Sequence, residues 1–446
     1  MKNFINKFRY YLILFLPAVL FFSYYPLIPL GEANFMHLEL SLPLVWLALL
    51  ALASIPDFLL FIKNFKSHTK PYKILFSLAS VFIIYCTSSI IWSENPIRTL
   101  LTAGILWCIF ISVTAFSYFR FTKNFRNKFI KYFLISTIVV CAFCWIQCIL
   151  DILNISRDIS LLCTGCTSTS FGFPHPNGFA IEPQFMGNLL LIPSFLSLYL
   201  LATSTATTKR EYLFISLFII STLFLTFSRG AIYAFCIGFL FWIIFNSFKQ
   251  HSSAPLKNII IVFTAFVIAL FTQGIFSTAS FTNDTFVSGV TKSIHHLSLG
   301  IIDLRPAPQP SAGTTIGTSF PSADFDGYVE ESTNIRLDLS RIAWEVSTSN
   351  PQVFLFGVGL GGTGAALSAT EIIQNEYMSL LLELGLVGII LATSIIVLLF
   401  IIIIKKQAPS MMLAVIIAFL LTLGFFSGLP NALHIYLLPP LLLFIL

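Results

Sequence analysis

Three arginines and a small set of carboxylate and amide side chains hold most of the chemical capacity of this chain. Arg229 lies in TFSRGAIYA, in a turn of a few residues between two long apolar runs, where a charge is costly unless it has a partner or a task. Gly230 beside it would let another group approach the turn closely, and the plainer alternative for Arg229 is snorkelling to the membrane interface. Arg336 and Arg341 both lie in NIRLDLSRIAWEVSTS. Arg341 follows Asp338 by three residues and precedes Glu345 by four, the spacing of a surface ion-pair cluster, whereas Arg336 has no acidic residue at those offsets. Gln374 and Glu376 open the run QNEYMSLLLELGLVG, with Glu383 seven residues on from Glu376 and on the same helical face. Glu182, in FAIEPQF, stands at another helix entrance. Arginines stabilise growing negative charge through bidentate, charge-assisted hydrogen bonds, while a carboxylate or amide can orient a hydroxyl. Glu376 is the preferred orienting group; the plainer alternative is that these carboxylates only hold the arginines in place.

Other candidates carry less. His175 sits in FPHPNGFA between two prolines, where a structural role competes with substrate contact. His295 and His296 have no second cluster to complete a metal site, so none is expected. Gly357, Gly359 and Gly362 fit Gly-x-Gly-x-x-Gly without a βαβ unit around them. Asp324 and Asp326 form an Asp-x-Asp in a flexible acidic stretch, a weak basis for a metal-dependent transferase. Cys163 and Cys166 read as a local staple more readily than a redox pair, and six further cysteines lie inside apolar runs.

The elements that must position these groups are membrane helices. A 446-residue chain that is 57% hydrophobic and 10% charged, with a mean hydropathy of +0.90, is too apolar for a soluble enzyme. Apolar runs at 10–30, 41–62, 74–93, 99–118, 130–153, 186–205, 211–227, 229–246, 258–277, 377–404, 409–428 and 433–446 predict an all-α polytopic membrane protein with about twelve transmembrane helices. Residues 1–446 read as a single integral membrane domain, its first run a retained helix in place of a cleaved signal. Eighteen Lys/Arg residues fall on one side of these spans and seven on the other, so the positive-inside rule puts both termini in the cytoplasm. The net charge of +6 thus reports orientation, with no nucleic-acid partner implied.

Two connections, 154–185 and 278–376, are long and fall on the outer side, where long loops tend to carry function. Within the second, a stretch at 304–333 rich in Pro, Ser, Thr and Gly runs into Ile335, Leu339, Ile342 and Val346 at helical spacing. These residues predict an amphipathic helix capped at Ser332, Thr333 or Asn334. Residues 278–373 carry four Lys/Arg against nine carboxylates, so an anionic ligand there would be held by particular arginines.

FPHPNGFA at 173–180, SRG at 228–230, FGVGLGG at 356–362 and QNEYMSLLLELGLVG at 374–388 together resemble the signature blocks of the O-antigen ligase/polymerase superfamily, with its Wzy-like polymerases and WaaL-like ligases. The resemblance covers the topology of the whole chain, the blocks only a small part of it. It implies a GT-C-like helical fold with a large outer loop in the bacterial inner membrane. It also implies a glycan carried on undecaprenyl pyrophosphate and transferred to a hydroxyl at the outer leaflet. No metal or soluble cofactor is required, since the pyrophosphate activates the sugar, and a membrane chain-length regulator is a candidate partner. Catalytic candidates are Glu376, Gln374 and Asn375; substrate-binding candidates are Arg229, Arg336, Arg341, His175, Asn177, Glu182 and Tyr377. The ligase branch has a histidine where Gln374 stands, followed at the same spacing by the counterparts of Asn375, Gly385 and Gly388. Glutamine can hydrogen-bond a hydroxyl and cannot take its proton, which favours a polymerase over a ligase. A flippase is the remaining rival, weakened by few charges inside the spans and no evident repeat.

Overall fold

The computed structural model describes residues 2–23, 27–33, 36–153, 169–170, 173–180, 182–249, 254–279, 285–298, 301–302, 325–367, 373–405, 409–425 and 432–446. Cys163, Cys166 and Asp324 lie outside them. The first half holds helices α1 (Lys2–Leu20), α2 (Leu42–Lys63), α3 (Lys70–Ser88), α4 (Pro96–Phe116), α5 (Lys123–Ile152), α6 (Pro183–Thr203) and α7 (Ala206–Leu225). Helices α8 (Arg229–Lys249) and α9 (Ala254–Ala279) follow, then four that lie between long apolar helices: α10 (Phe286–Leu297), α11 (Phe325–Ser349), α12 (Pro351–Phe356) and α13 (Thr363–Leu367). The chain closes with α14 (Glu376–Lys405), α15 (Ser410–Thr422) and α16 (Leu433–Ile445). Strands β1 (Leu27–Ala33) and β2 (Met36–Ser41) form one antiparallel hairpin, β3 (Thr169–Ser170) and β4 (Phe173–Pro174) another.

Among the described residues, eight helices are long and apolar enough to cross a membrane: α2, α3, α4, α5, α6, α8, α9 and α14. The other four expected runs are helical too, but α7 carries Lys209, Arg210 and Glu211 near its start, and α15 and α16 are short. The first expected span, 10–30, is corrected at its far end: the helix stops at Leu20 and residues 27–33 are a strand. Pro29 and Gly31 explain the change, because a proline removes a helix hydrogen bond and the register of the hairpin shifts between them.

Helix α6 is the axis of the fold, buried along most of its length against α5, α7, α8 and α15. Its Asn188 pairs with Thr422 of α15, so a polar contact fixes the register of two apolar helices. Asp57 of α2 is likewise partnered, forming an ion pair with the buried Arg9 of α1.

The segment expected to be a long outer loop carries four helices. Helix α11 starts at Phe325, ahead of the caps expected at Ser332 to Asn334. Helix α14 is interrupted at Gly385, whose φ of 63° and ψ of −167° break the helical path. The reason lies opposite. Residues 356–362 run beside the break, with the Val358 N–H donating to the Leu382 carbonyl at 2.9 Å and the Gly359 N–H to the Glu383 carbonyl at 3.0 Å. A Cβ on Gly357 would sit 2.2 Å from the Glu383 carbonyl oxygen, and one on Gly385 would sit 2.5 Å from Leu355 backbone. The glycines of both blocks therefore serve one close backbone crossing.

Candidate functional site

A cavity of about 500 Å³ opens between α14 and the pair α15/α16, reaching α4 and the start of α6. At one end it is lined by Arg98, Glu182, Gln184, Thr363, Gln374, Glu376, Tyr377 and Glu383. Toward the other it is apolar, walled by Ile395, Leu399, Ile403, Met412, Phe419 and Leu443.

The polar end is built by helix starts. Asn375 caps α14: its Oδ1 accepts from the N–H groups of Tyr377 at 3.1 Å and Met378 at 3.3 Å. This bond places Glu376 in the first turn, where the helix dipole favours a carboxylate, and the Tyr436 hydroxyl of α16 hydrogen-bonds to it. Tyr377 lines the cavity while its hydroxyl donates to the Leu420 carbonyl. The Oε1 of Gln374 is buried and, among the described residues, has no hydrogen-bond partner.

Glu182 precedes α6, its carbonyl accepting from Phe185 at 3.1 Å and Met186 at 3.3 Å. Its side chain is exposed to the cavity space, yet the protein around it raises its carboxyl above the usual range by desolvation, and the charge of Arg336 opposes that rise. Arg336 reaches the same corner from α11, donating to Gln184 Oε1 at 3.3 Å, while the Gln184 amide donates to the Phe425 carbonyl. Predicted residues from three separate blocks thus meet here: Arg336, Glu182, and the Gln374–Tyr377 run.

Arg229 is the first residue of α8, and Gly230 after it packs against Phe425, whose carbonyl accepts from Gln184. Ser228 caps the helix, accepting from the Ala231 N–H at 3.4 Å, and Phe227 before it holds a φ of 48°. A bulky residue there is strained by about 1–2 kcal/mol, a conformation that persists only where neighbours impose it. Two histidines are those neighbours. His175 stacks on the Phe227 ring at 5.4 Å between centroids, and His296 of α10 lies with Nε2 3.3 Å from the Phe227 carbonyl, as donor. Both are buried. Burial pushes the His175 imidazole down to about 3, and His296 is held well below its ordinary value by burial, then by His175 and Arg229. Both are therefore neutral at neutral pH.

Six predicted residues, Asn375, Arg229, Arg336, Arg341, His175 and Asn177, are not part of the cavity lining. Asn177 is fully buried, donating to the Ala180 carbonyl at 3.0 Å and accepting from Gln147 at 3.1 Å. Gln147 also accepts from the Gly178 N–H at 2.9 Å, so the block 173–180 is clamped to α5. His175 lies in the same block, behind the Arg229 turn. Arg341 is exposed and paired with Glu345 at 3.0 Å, away from the cavity.

Sequence reading missed Arg98 and gave Glu383 only a minor place. Arg98 lies in the first turn of α4, with its side chain along Gly361. Glu383 accepts from Thr363 Oγ1 at 2.7 Å and from the Gly361 and Thr363 N–H groups. The glycine segment thus spends N–H groups on α14 backbone and on Glu383.

A bundle of long apolar helices, as in a polytopic membrane protein, thus encloses a cavity that is polar at one end and apolar at the other. Residues 214–393, from within α7 to within α14, match the O-antigen ligase family, and the match places this stretch in the O-antigen ligase/polymerase superfamily. Members of that family are membrane glycosyltransferase-like enzymes. No curated protein and no solved structure matches the chain.

Proposed function

We propose that this protein is a polymerase that joins oligosaccharide repeat units at the outer leaflet of the bacterial inner membrane. It moves the growing glycan from undecaprenyl pyrophosphate onto a hydroxyl of the next lipid-linked unit. The observation that carries this reading is the cavity itself, apolar along α14 to α16 and polar where Gln374, Glu376 and Glu182 meet Arg336. In this arrangement the lipid lies in the apolar arm and its diphosphate reaches the polar end. Arg336 and Arg229 stabilise the charge that builds on the leaving diphosphate. Gln374 accepts the hydrogen bond of the attacking hydroxyl and aligns it, and Glu376, tied to Tyr436, is the carboxylate placed to receive its proton. The glycosidic bond to the diphosphate breaks as the bond to the hydroxyl oxygen forms, the diphosphate leaving with the bonding pair. The diphosphate is the activating group, so the step calls on no added cofactor. Both termini face the cytoplasm in this reading, and a membrane chain-length regulator would meet the helices beside the cavity.

A ligase that hands finished glycan to lipid A-core or protein is the second reading, favoured by the family description. Gln374 in the histidine position favours the first, since it leaves the proton to Glu376. The experiment is turnover of purified protein in proteoliposomes holding undecaprenyl-pyrophosphate-linked repeat units. Formation of longer lipid-linked oligomers that Arg229→Ala and Arg336→Ala each reduce at least a hundredfold supports the polymerase. Oligomers at normal rates from both variants overturn the arginine roles, and none from the wild type overturns the polymerase.

A further inference from the structure

Among the described residues, one cationic side chain lines the cavity. We propose that Arg98 is a phosphate-binding residue of this site, gripping the diphosphate of a lipid-linked substrate from the α4 side; this rests on the lipid-diphosphate reading above. Arg98 is the one arginine or lysine among the described residues that line the cavity, whose other charged lining groups are Glu182, Glu376 and Glu383.

Its backbone is held firmly. Asn95 caps α4 by accepting from the Arg98 N–H at 3.2 Å, and the neighbouring Thr99 hydroxyl is 2.6 Å from both the Leu360 carbonyl and Ser93 Oγ. The Glu94 N–H donates to the Val358 carbonyl at 3.2 Å, and the Leu360 N–H to Ser89 Oγ at 3.1 Å, so this turn is stitched to the glycine segment. The side chain then runs flat over Gly361, where a Cβ would come within 2.9 Å of Arg98 Cγ. Only a residue without a side chain leaves that path open.

The guanidinium at the end of this path is not consumed. Among the described residues it has no side-chain hydrogen bond and no ion pair, although it feels the charge of Glu383. Glu383 has its own donors in Thr363 and two backbone N–H groups. It steadies the arginine electrostatically and leaves the planar fork of N–H donors facing the cavity. Such a fork at the junction of polar and apolar walls suits a phosphate whose hydrocarbon chain continues into the apolar arm.

The test uses purified full-length protein in nanodiscs, with farnesyl diphosphate and farnesol as probes that differ only in the phosphate group. The wild type should prefer the diphosphate, and Arg98→Gln should lose at least tenfold in diphosphate affinity with farnesol affinity unchanged. Arg98→Lys, which keeps the charge and loses the fork, should fall between the two and serves if the glutamine variant does not fold. An unchanged diphosphate affinity in both variants, or an equal loss for farnesol, overturns the assignment. Arg229→Ala, run alongside, separates the claims: if it loses diphosphate affinity and Arg98→Gln does not, only the role of Arg98 falls. A wild type with no preference for the diphosphate sinks both readings. In turnover, a raised KM for the donor unit places Arg98 on the leaving diphosphate, and a raised KM for the acceptor places it on the incoming unit's diphosphate; no change in either KM counts against it.

Discussion

Acid should loosen the Arg229 turn, and His175 sets the size of the effect. Its imidazole titrates near 3 in the folded protein and near 6.5 in an unfolded chain, because burial against Phe227 disfavours the charged ring. The folded value is the lower one, so the unfolded state binds the extra proton between these limits; stability is full above about pH 6.5 and falls as pH drops below it. At pH 5 the loss is about 2 kcal/mol, set by the distance from the unfolded value and insensitive to where the folded value lies, provided it is well below 5. His296 adds a loss of the same sign. The assay is thermal unfolding in detergent at pH 8 and pH 5 for the wild type and for His175→Phe, which keeps an aromatic ring against Phe227 and cannot titrate. The wild type should lose more on acidification than the variant, and its transferase rate should fall more steeply. Equal pH dependence in the two proteins would refute the role of a neutral His175 as brace of this turn.

Further outcomes follow from the same geometry. Gly357→Ala should destabilise by several kcal/mol, since its φ of 74° strains an L residue and its Cβ would meet Glu383 backbone at 2.2 Å; a melting curve or the yield of monodisperse protein reads this directly. Asn375→Ala should cost about 1 kcal/mol of helix stability and part of the rate, while Asn375→Asp or Asn375→Ser restores both, as expected of a cap. Arg341→Ala should change stability by less than about 1 kcal/mol and leave turnover near wild type, because its ion pair with Glu345 is exposed.

The helices were readable in the sequence because long apolar runs have few other solutions, and the blocks around Arg229, Arg336 and Gln374 were readable because their residue types are costly near a membrane. Some of what the structure adds had a local signal. Asn375 directly before Glu376 is a helix-cap signal that could have been taken as such, and Pro29 with Gly31 argues against a first helix running to residue 30. Others had none. Asn177 is consumed by Gln147, and Arg98 reaches the cavity only because Gly361, far along the chain, passes beneath it. Such pairings depend on how α4, α5 and α14 pack, and single-sequence periodicity carries no register between distant helices. Arg98 could be counted as an outward-side cation and no more.

The most direct measurement of the polymerase claim is the gel profile of surface glycolipid from a strain lacking this protein, beside the strain complemented with the wild type and with Arg336→Ala at equal protein level. The polymerase reading predicts that the deletion and the variant keep a core-plus-one-repeat band and lose the long ladder, which the wild type restores. Loss of every repeat-bearing band with lipid-linked polymer accumulating would contradict it in favour of a ligase, and an unchanged ladder would contradict it outright.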